Sequence, residues 1–269
     1  MRVGTRTCHW SPERSGWTAR HRSWCPCGTV IRATTRGKDG RIGVRMRVAI
    51  VGGAGQIARL LLPLLLSRGD EVVPLVRRQE QADELSALGA HPRLLDLEAA
   101  SPGEFEAALD GADAVVFAAG GGPDGNALRK RTVDLNGSLN AAAAAQSLGI
   151  RRFVQVSAIG VDGPISMEMG AVWATYVVAK RDADEALRDC DLDWTIVRPG
   201  RLTDVAATGL VRIGAELAPL KAGEENWTDI SRADVAAVLA QVLHTPSTIG
   251  AQWDVIGGST PIEAAVAEV

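Results

Sequence analysis

The stretch "RVAIVGGAGQIA", Arg47–Ala58, decides the fold. Its first five residues include four apolar ones and read as a strand buried on both faces. The chain then turns through glycine into "QIARLLLPLLLS" (Gln56–Ser67), whose periodicity predicts a helix. Gly52, Gly55 and Ala58 keep the spacing G-x-x-G-x-x-G/A across the turn. The first glycine permits a tight turn, and the second lets backbone approach a pyrophosphate. The small third residue lets helix and strand pack closely. The helix N-terminus adds partial positive charge where phosphates would lie. A glycine triplet alone is a weak signal, but this one stands between a predicted strand and a predicted helix, as a dinucleotide site requires. Gly52, Gly53, Ala54, Gly55, Gln56 and Ile57 are the expected phosphate-side residues. Pro63 lies inside the helix and should kink it.

Outward from that stretch the pattern repeats. Glu71–Arg77, Pro92–Leu97, Asp113–Gly120, Arg151–Ser157 and Asp193–Gly200 are further short apolar runs rich in β-branched residues. Helical periodicity fills Gln79–Leu88, Gly103–Leu109, Asn126–Leu148 and Ala171–Arg188. Strict alternation implies right-handed crossovers and an α/β fold: a doubly wound parallel sheet in a three-layer α/β/α sandwich. After Gly200 an irregular segment is expected. A helix over "SRADVAAVLAQVL" follows, with Ser231 and Asp234 as a capping box, and then a strand over "AQWDVIGG". Residues 46–269 thus read as a single domain with a small C-terminal segment on the substrate side.

The second strand ends "LVRR" (Leu75–Arg78), with no carboxylate before Glu80. An acidic residue there would bind the ribose of NAD. Arg77 or Arg78 instead suits a 2′-phosphate, which favours NADP over NAD. Asp96 and Leu97, at the end of the third strand, are placed to meet the adenine. Ala118, Ala119 and Gly120, ending the fourth, would flank the ribose and pyrophosphate.

The chain's single tyrosine lies in "YVVAK", Tyr176–Lys180, on a predicted helix, and lysine occurs only four times in 269 residues. Positions i and i+4 share a helix face, so phenol and ammonium would lie side by side. Such a pair is either an accident of an exposed helix or an acid/base dyad. One cation ~4 Å away at an effective dielectric near 20 supplies about 4 kcal/mol, enough to draw a phenol from ~10 toward neutrality. Lys180 is therefore expected to lower the pKa of Tyr176. The intervening "AIGVDGPISMEMGAVWA" supplies Ile165, Met167, Met169 and Trp173, side chains suited to a small apolar substrate.

Residues 1–45 carry ten cations against two anions, and the rest of the chain carries net −11 of an overall −3. A basic tail on an acidic body argues against nucleic-acid binding by the body. Cys8, His9, Cys25 and Cys27 fall in this tail, but "CPC" lacks the usual two-residue gap of zinc knuckles, and no metal site is expected. The tail is rich in Arg, Ser and Thr and poor in acids, as organellar transit peptides are. A simpler reading is that residues 1–45 are disordered, with Met46 as the start of translation. No apolar run reaches the length of a membrane span. The expected setting is cytoplasmic, with a small-molecule substrate, no nucleic acid, no membrane, and a monomer or homodimer.

From Met46 to about Gly258 the chain resembles the short-chain dehydrogenase/reductase superfamily. It looks like the atypical, NAD(P)-binding branch near the epimerase-like and NmrA-like proteins. "GGAGQIA", the serine of "VSAIG" (Ser157), "YVVAK" and "TIVRPGRLTD" (Thr195–Asp204) carry the resemblance together. It implies a Rossmann fold, with Tyr176 as general acid/base and Lys180 on the nicotinamide ribose. Ser157 would sit on the substrate carbonyl or hydroxyl, and Pro199 beside the cofactor. The usual fourth member is an asparagine. Here "VDLNGSLN" puts Asp134 at that position, with Asn136 nearby, an aspartate being typical of the atypical branch. The implied activity is an NADP-dependent reductase or dehydrogenase for a small, largely apolar carbonyl or hydroxyl compound. A non-catalytic NADP(H) sensor and a sugar epimerase or dehydratase are the alternatives.

Overall fold

The computed structural model describes residues 34–36, 42–122, 125–165, 170–215, 217 and 228–269. Within the basic tail, Thr34–Arg36 (β1) and Ile42–Val44 (β2) pair antiparallel, apart from the main sheet. The β-branched residues of these two segments favour extended pairing. The four-residue Cys/His cluster of the tail lies outside the described residues.

The domain proper runs β3 (Arg47–Val51), α1 (Gln56–Ser67), β4 (Glu71–Val76), α2 (Gln79–Ala87), β5 (Arg93–Leu94), α3 (Pro102–Leu109) and β6 (Ala114–Phe117). A long helix follows, with a first turn α4 (Ala127–Arg129), a π-helical stretch Lys130–Asn136, and α5 (Gly137–Ser147). Then come β7 (Arg152–Val156), α6 (Ala171–Arg188), β8 (Asp193–Pro199), β9 (Arg201–Thr203), β10 (Leu210–Gly214) and β11 (Asp229–Ser231). The chain closes with α7 (Arg232–Leu243), β12 (Ala251–Gly257), β13 (Thr260–Pro261) and α8 (Ile262–Ala267).

Among the described residues, nine strands form one sheet in the order β13-β10-β12-β8-β7-β6-β3-β4-β5. Seven of them, β5 through β12 in that order, run parallel. β10 is antiparallel to both its neighbours, which the alternation pattern did not predict. Side-chain alternation explains the three layers. Val48 and Ile50 pack toward α1, α2, α7 and α8, whereas Ala49 and Val51 pack toward α3, α5 and α6. All four are fully buried, and burial of each larger side chain contributes about 1.5–3 kcal/mol. The strand order reverses at β3, with β4 on one side and β6 on the other, and this is the point where doubly wound sheets open a crevice.

α1 runs through Pro63, which faces solvent. Ser231 caps α7 by accepting from the Asp234 amide at 2.9 Å. The Asp234 carboxylate accepts from the Ser231 hydroxyl at 2.8 Å, not from the Ser231 amide as a full box would. It takes the backbone amides of Thr208 and Gly209 and so pins the loop before β10. The segment after Gly200 is less irregular than its sequence suggests, because β9 and β11 pair across it. Among the described residues, no helix is long and apolar enough to cross a membrane.

Candidate active site

The glycine loop is shaped by contact as well as by backbone freedom. Gly52 has φ +83°, and a Cβ on it would stand 2.6 Å from the Cα of Ala119. Gly53 gives its amide to the Leu75 carbonyl at 3.0 Å and is packed on Pro74, with no room for a side chain. Gly55 precedes α1 and donates to the Gly52 carbonyl at 2.9 Å. α1 has no side-chain cap and no acid in its first turn. Its first amides therefore keep their positive character toward an anion. The Arg59 guanidinium steadies the loop by donating to the Ala54 carbonyl and pairing with Glu84.

This loop forms one end of a cleft of about 920 Å³ above the carboxyl ends of β3, β4, β6 and β7. Gly52, Ala54, Gly55, Gln56 and Ile57 line it, as do Arg77, Asp96, Leu97, Ala118, Ala119 and Gly120. Ser157, Tyr176, Lys180 and Asp134 line the same cleft. Three expected cofactor residues do not. Gly53 is turned to Pro74, Arg78 begins α2 as its N-cap, and Pro199 is tied into the sheet opposite Val255 with its carbonyl on the Ile159 amide. Of the expected apolar pocket, Trp173 lines the cleft and Ile165 does not. Met167 and Met169 lie outside the described residues.

The chemical end is built on α6. Lys180 is 5% exposed and donates to the Val156 carbonyl at 3.1 Å. Its ammonium lies 3.2 Å from Asp134 Oδ1, while Asp134 Oδ2 takes the Gly121 amide at 2.8 Å. The nearby Asn136 is exposed. Burial would pull the Lys180 pKa down, but Asp134, Tyr176 and Asp184 outweigh it and hold the ammonium charged. Tyr176 is half-buried, its ring 5.3 Å from that of Trp173. Its pKa moves upward, contrary to the expectation from Lys180 alone. Burial is the main cause; Lys180 pulls down, but Asp134 and Asp184 push up. A cation that already has a carboxylate partner has little field left to spend on a phenol. Ser157, just past the end of β7, donates its hydroxyl to Asp184 at 2.7 Å.

The glycines beyond Gly120 are missing from the sequence reading. Gly121, Gly122 and Gly125 line the cleft, with Arg129 and Lys130 from the helix beneath them. A Cβ on Gly121 would meet the Arg129 carbonyl at 3.1 Å and Asp134 at 3.2 Å. The run "GGG" at Gly120–Gly122 is the signal that would have found them. Leu202 and Arg232, at the far side, carry no local signal at all.

Residues 52–246 match the family described as NAD(P)H-binding. A UPF0659 protein of Saccharomyces cerevisiae is 36% identical over 225 residues, covering 81% of this chain and 96% of its own. A Bacillus subtilis protein named an uncharacterized sugar epimerase is 36% identical over 222 residues, covering 82% and 99%. A Bacillus halodurans structure, assigned provisionally as an NAD-dependent epimerase/dehydratase, superposes with a TM-score of 0.74 at 38% identity. That match covers 83% of this chain and all of the other. With its single Rossmann-like domain, nine-stranded sheet and glycine-lined cleft, the chain belongs to the NAD(P)H-binding family, alongside the UPF0659 proteins.

Proposed function

We propose that the protein is an NADP-dependent oxidoreductase acting on a small, largely apolar carbonyl or hydroxyl compound. One observation carries this reading: Ser157, Tyr176, Lys180 and Asp134 line a single cleft that continues to the glycine loop. The loop suits a dinucleotide because Gly52 has no room for a Cβ and α1 starts without an acid. Gly52, Gly55, Gln56 and Ile57 would hold the pyrophosphate, Asp96 and Leu97 the adenine, and Lys180 the nicotinamide ribose. Arg77 lines the cleft where no carboxylate follows β4, which supports a 2′-phosphate and hence NADP. Bound there, the nicotinamide supplies the hydride.

Tyr176 keeps its proton at neutral pH, so it serves as the acid that protonates the substrate oxygen in reduction. Lys180, neutralised by Asp134, orients more than it polarises. Trp173 adds apolar wall. Tyr176→Phe should lower NADPH-dependent carbonyl reduction ~10²-fold or more while leaving NADPH affinity intact. In the wild type the reductive rate should stay level as pH rises through the ordinary phenol value of about 10. A Tyr176→Phe variant as fast as wild type would remove the tyrosine from the mechanism.

The commitment of Lys180 to Asp134 favours a second reading, a non-catalytic NADP(H) sensor. The names of the Bacillus relatives suggest a third, an epimerase, in which NADPH would not be consumed overall. Oxidation of NADPH with a panel of small aldehydes, ketones and quinones separates the oxidoreductase reading from the other two.

A further inference from the structure

One turn beyond Lys180 on α6, and fully buried, lies Asp184. It is not a bystander to the Ser157 hydroxyl. Asp184 Oδ2 faces three donors: Ser157 Oγ at 2.7 Å, Arg198 Nε at 2.9 Å and the terminal Arg198 nitrogen at 2.8 Å. Oδ1 takes the Gln155 amide at 2.7 Å, and Gln155 is itself oriented by the Ser138 hydroxyl on its carbonyl oxygen. Arg198 is held from its other side by Asp162.

Arginine and amide nitrogens only donate. Both oxygens of Asp184 are therefore acceptors, and the proton shared with Ser157 belongs to the serine. A hydroxyl has one proton and two lone pairs. With its proton given to Asp184, Ser157 has only lone pairs left for the cleft it lines.

We infer that Asp184 is a positioning residue that makes Ser157 a hydrogen-bond acceptor, so that the serine recognises a substrate hydroxyl and not a bare carbonyl oxygen. The inference rests on the oxidoreductase reading and narrows its substrate term. In reduction, Tyr176 alone would hold the carbonyl. The O–H formed by its proton would then donate to Ser157, and the bound alcohol would be the tighter of the two partners.

The test uses the full chain loaded with NADP+ and two probes that cannot exchange hydride with it. One is cyclohexanone, and the other is the tertiary alcohol formed by adding a methyl group at its carbonyl carbon. The wild type should bind the alcohol ~10-fold more tightly, the worth of one hydrogen bond. Ser157→Ala should weaken the alcohol by about that factor and leave the ketone unchanged. Asp184→Asn should keep the preference, since its carbonyl oxygen can face Arg198 and Ser157 while the Gln155 amide turns over. Asp184→Ala should lose the preference, because the serine proton is freed. If Ser157→Ala weakens the ketone more than the alcohol, the serine donates into the cleft and the inference is overturned.

Asp184→Ala also leaves Arg198 short of a buried partner and need not fold. Neutron diffraction from wild-type crystals loaded with NADP+ needs no variant. Deuterium on Ser157 Oγ aimed at Asp184 supports the inference, and deuterium aimed at the cleft overturns it. Absence of turnover across the carbonyl panel would sink the oxidoreductase reading while leaving this proton visible in the map.

Discussion

The two ends of the cleft are built in opposite ways. At the glycine-loop end everything is local: β3, the turn, α1 and β4 follow one another within thirty residues, Arg47–Val76. Their fit is so close that Gly52 and Gly53 have no space for a methyl group. At the far end Leu202 comes from β9 and Arg232 from α7, joined by pairings that skip long stretches of chain. Arg201 pairs with Asp229, Arg232 with Asp204, and Asp234 holds the Thr208 and Gly209 amides. Exposed ion pairs such as the first contribute little, and each is replaceable. The glycine-loop end, proposed to hold the dinucleotide, has a backbone with no freedom. The far end rests on separate side-chain pairings.

The strongest way to break this contrast is a methyl group at each end. Gly52→Ala adds left-handed backbone strain to a clash with Ala119 backbone, together about 2–5 kcal/mol. It should lower Tm by roughly 5–15 °C and abolish measurable NADPH binding. Gly209 also has positive φ, at +71°, but open space where a Cβ would go. Gly209→Ala should therefore cost only about 1–2 kcal/mol in strain. Equal melting of the two variants by scanning calorimetry would erase the distinction.

Next in size is the floor between the two ends. Lys180→Ala strips Asp134, 1% exposed, of its ion pair and leaves it the Gly121 amide. A loss of about 3 kcal/mol is expected, with weaker NADPH binding as well. Denaturant melts and NADPH titrations on one preparation would show whether both fall together. If only the affinity falls, the pair serves the ligand and not the fold.

Smaller again is the adenosine edge. Arg77→Ala should weaken NADPH about tenfold and leave NADH unchanged, whereas Arg78→Ala should do neither, since only Arg77 lines the cleft. Fluorescence titration of both cofactors settles it; equal wild-type affinities would withdraw NADP preference. The smallest effect is expected from cutting the chain before Met46. The Met46 amide already donates to Asp70 Oδ1 at 3.0 Å, so a terminal ammonium there meets a carboxylate. Tm and NADPH affinity should match the full chain, and a marked fall would mean that the tail packs on the body.

The same contrast explains what the sequence disclosed. β3, α1, Gly52 and the Tyr176/Lys180 spacing are legible because strand period, helix period and turn chemistry act over a few residues. Gly53 falls within the glycine motif but faces Pro74, because spacing cannot say which way a backbone atom points. β9, β10 and β11 have three to five residues each and exist through partners far along the chain. The Tyr176 pKa is hidden for a related reason: its lysine is visible at i+4, but the burial that lifts it, and the Asp134 and Asp184 charges that add to the lift, exist only in the fold. Asp184 stood at the next i+4 step and gave no sign, because Arg198 and Ser157 meet it only in the fold.

The π-helical stretch Lys130–Asn136 sets which side chain reaches Lys180. Such a stretch winds more residues into a turn than an α-helix does, so it behaves like a single inserted residue absorbed without a loop. Counting along the helix from its two ends then gives different answers for which residue faces Lys180. Asp134, inside the stretch, is buried against Lys180, whereas Asn136 at its end is exposed. Rewound as regular α-helix, the stretch would rotate the Asp134 carboxylate away from the Lys180 ammonium. The ion pair is thus a product of winding as much as of residue identity.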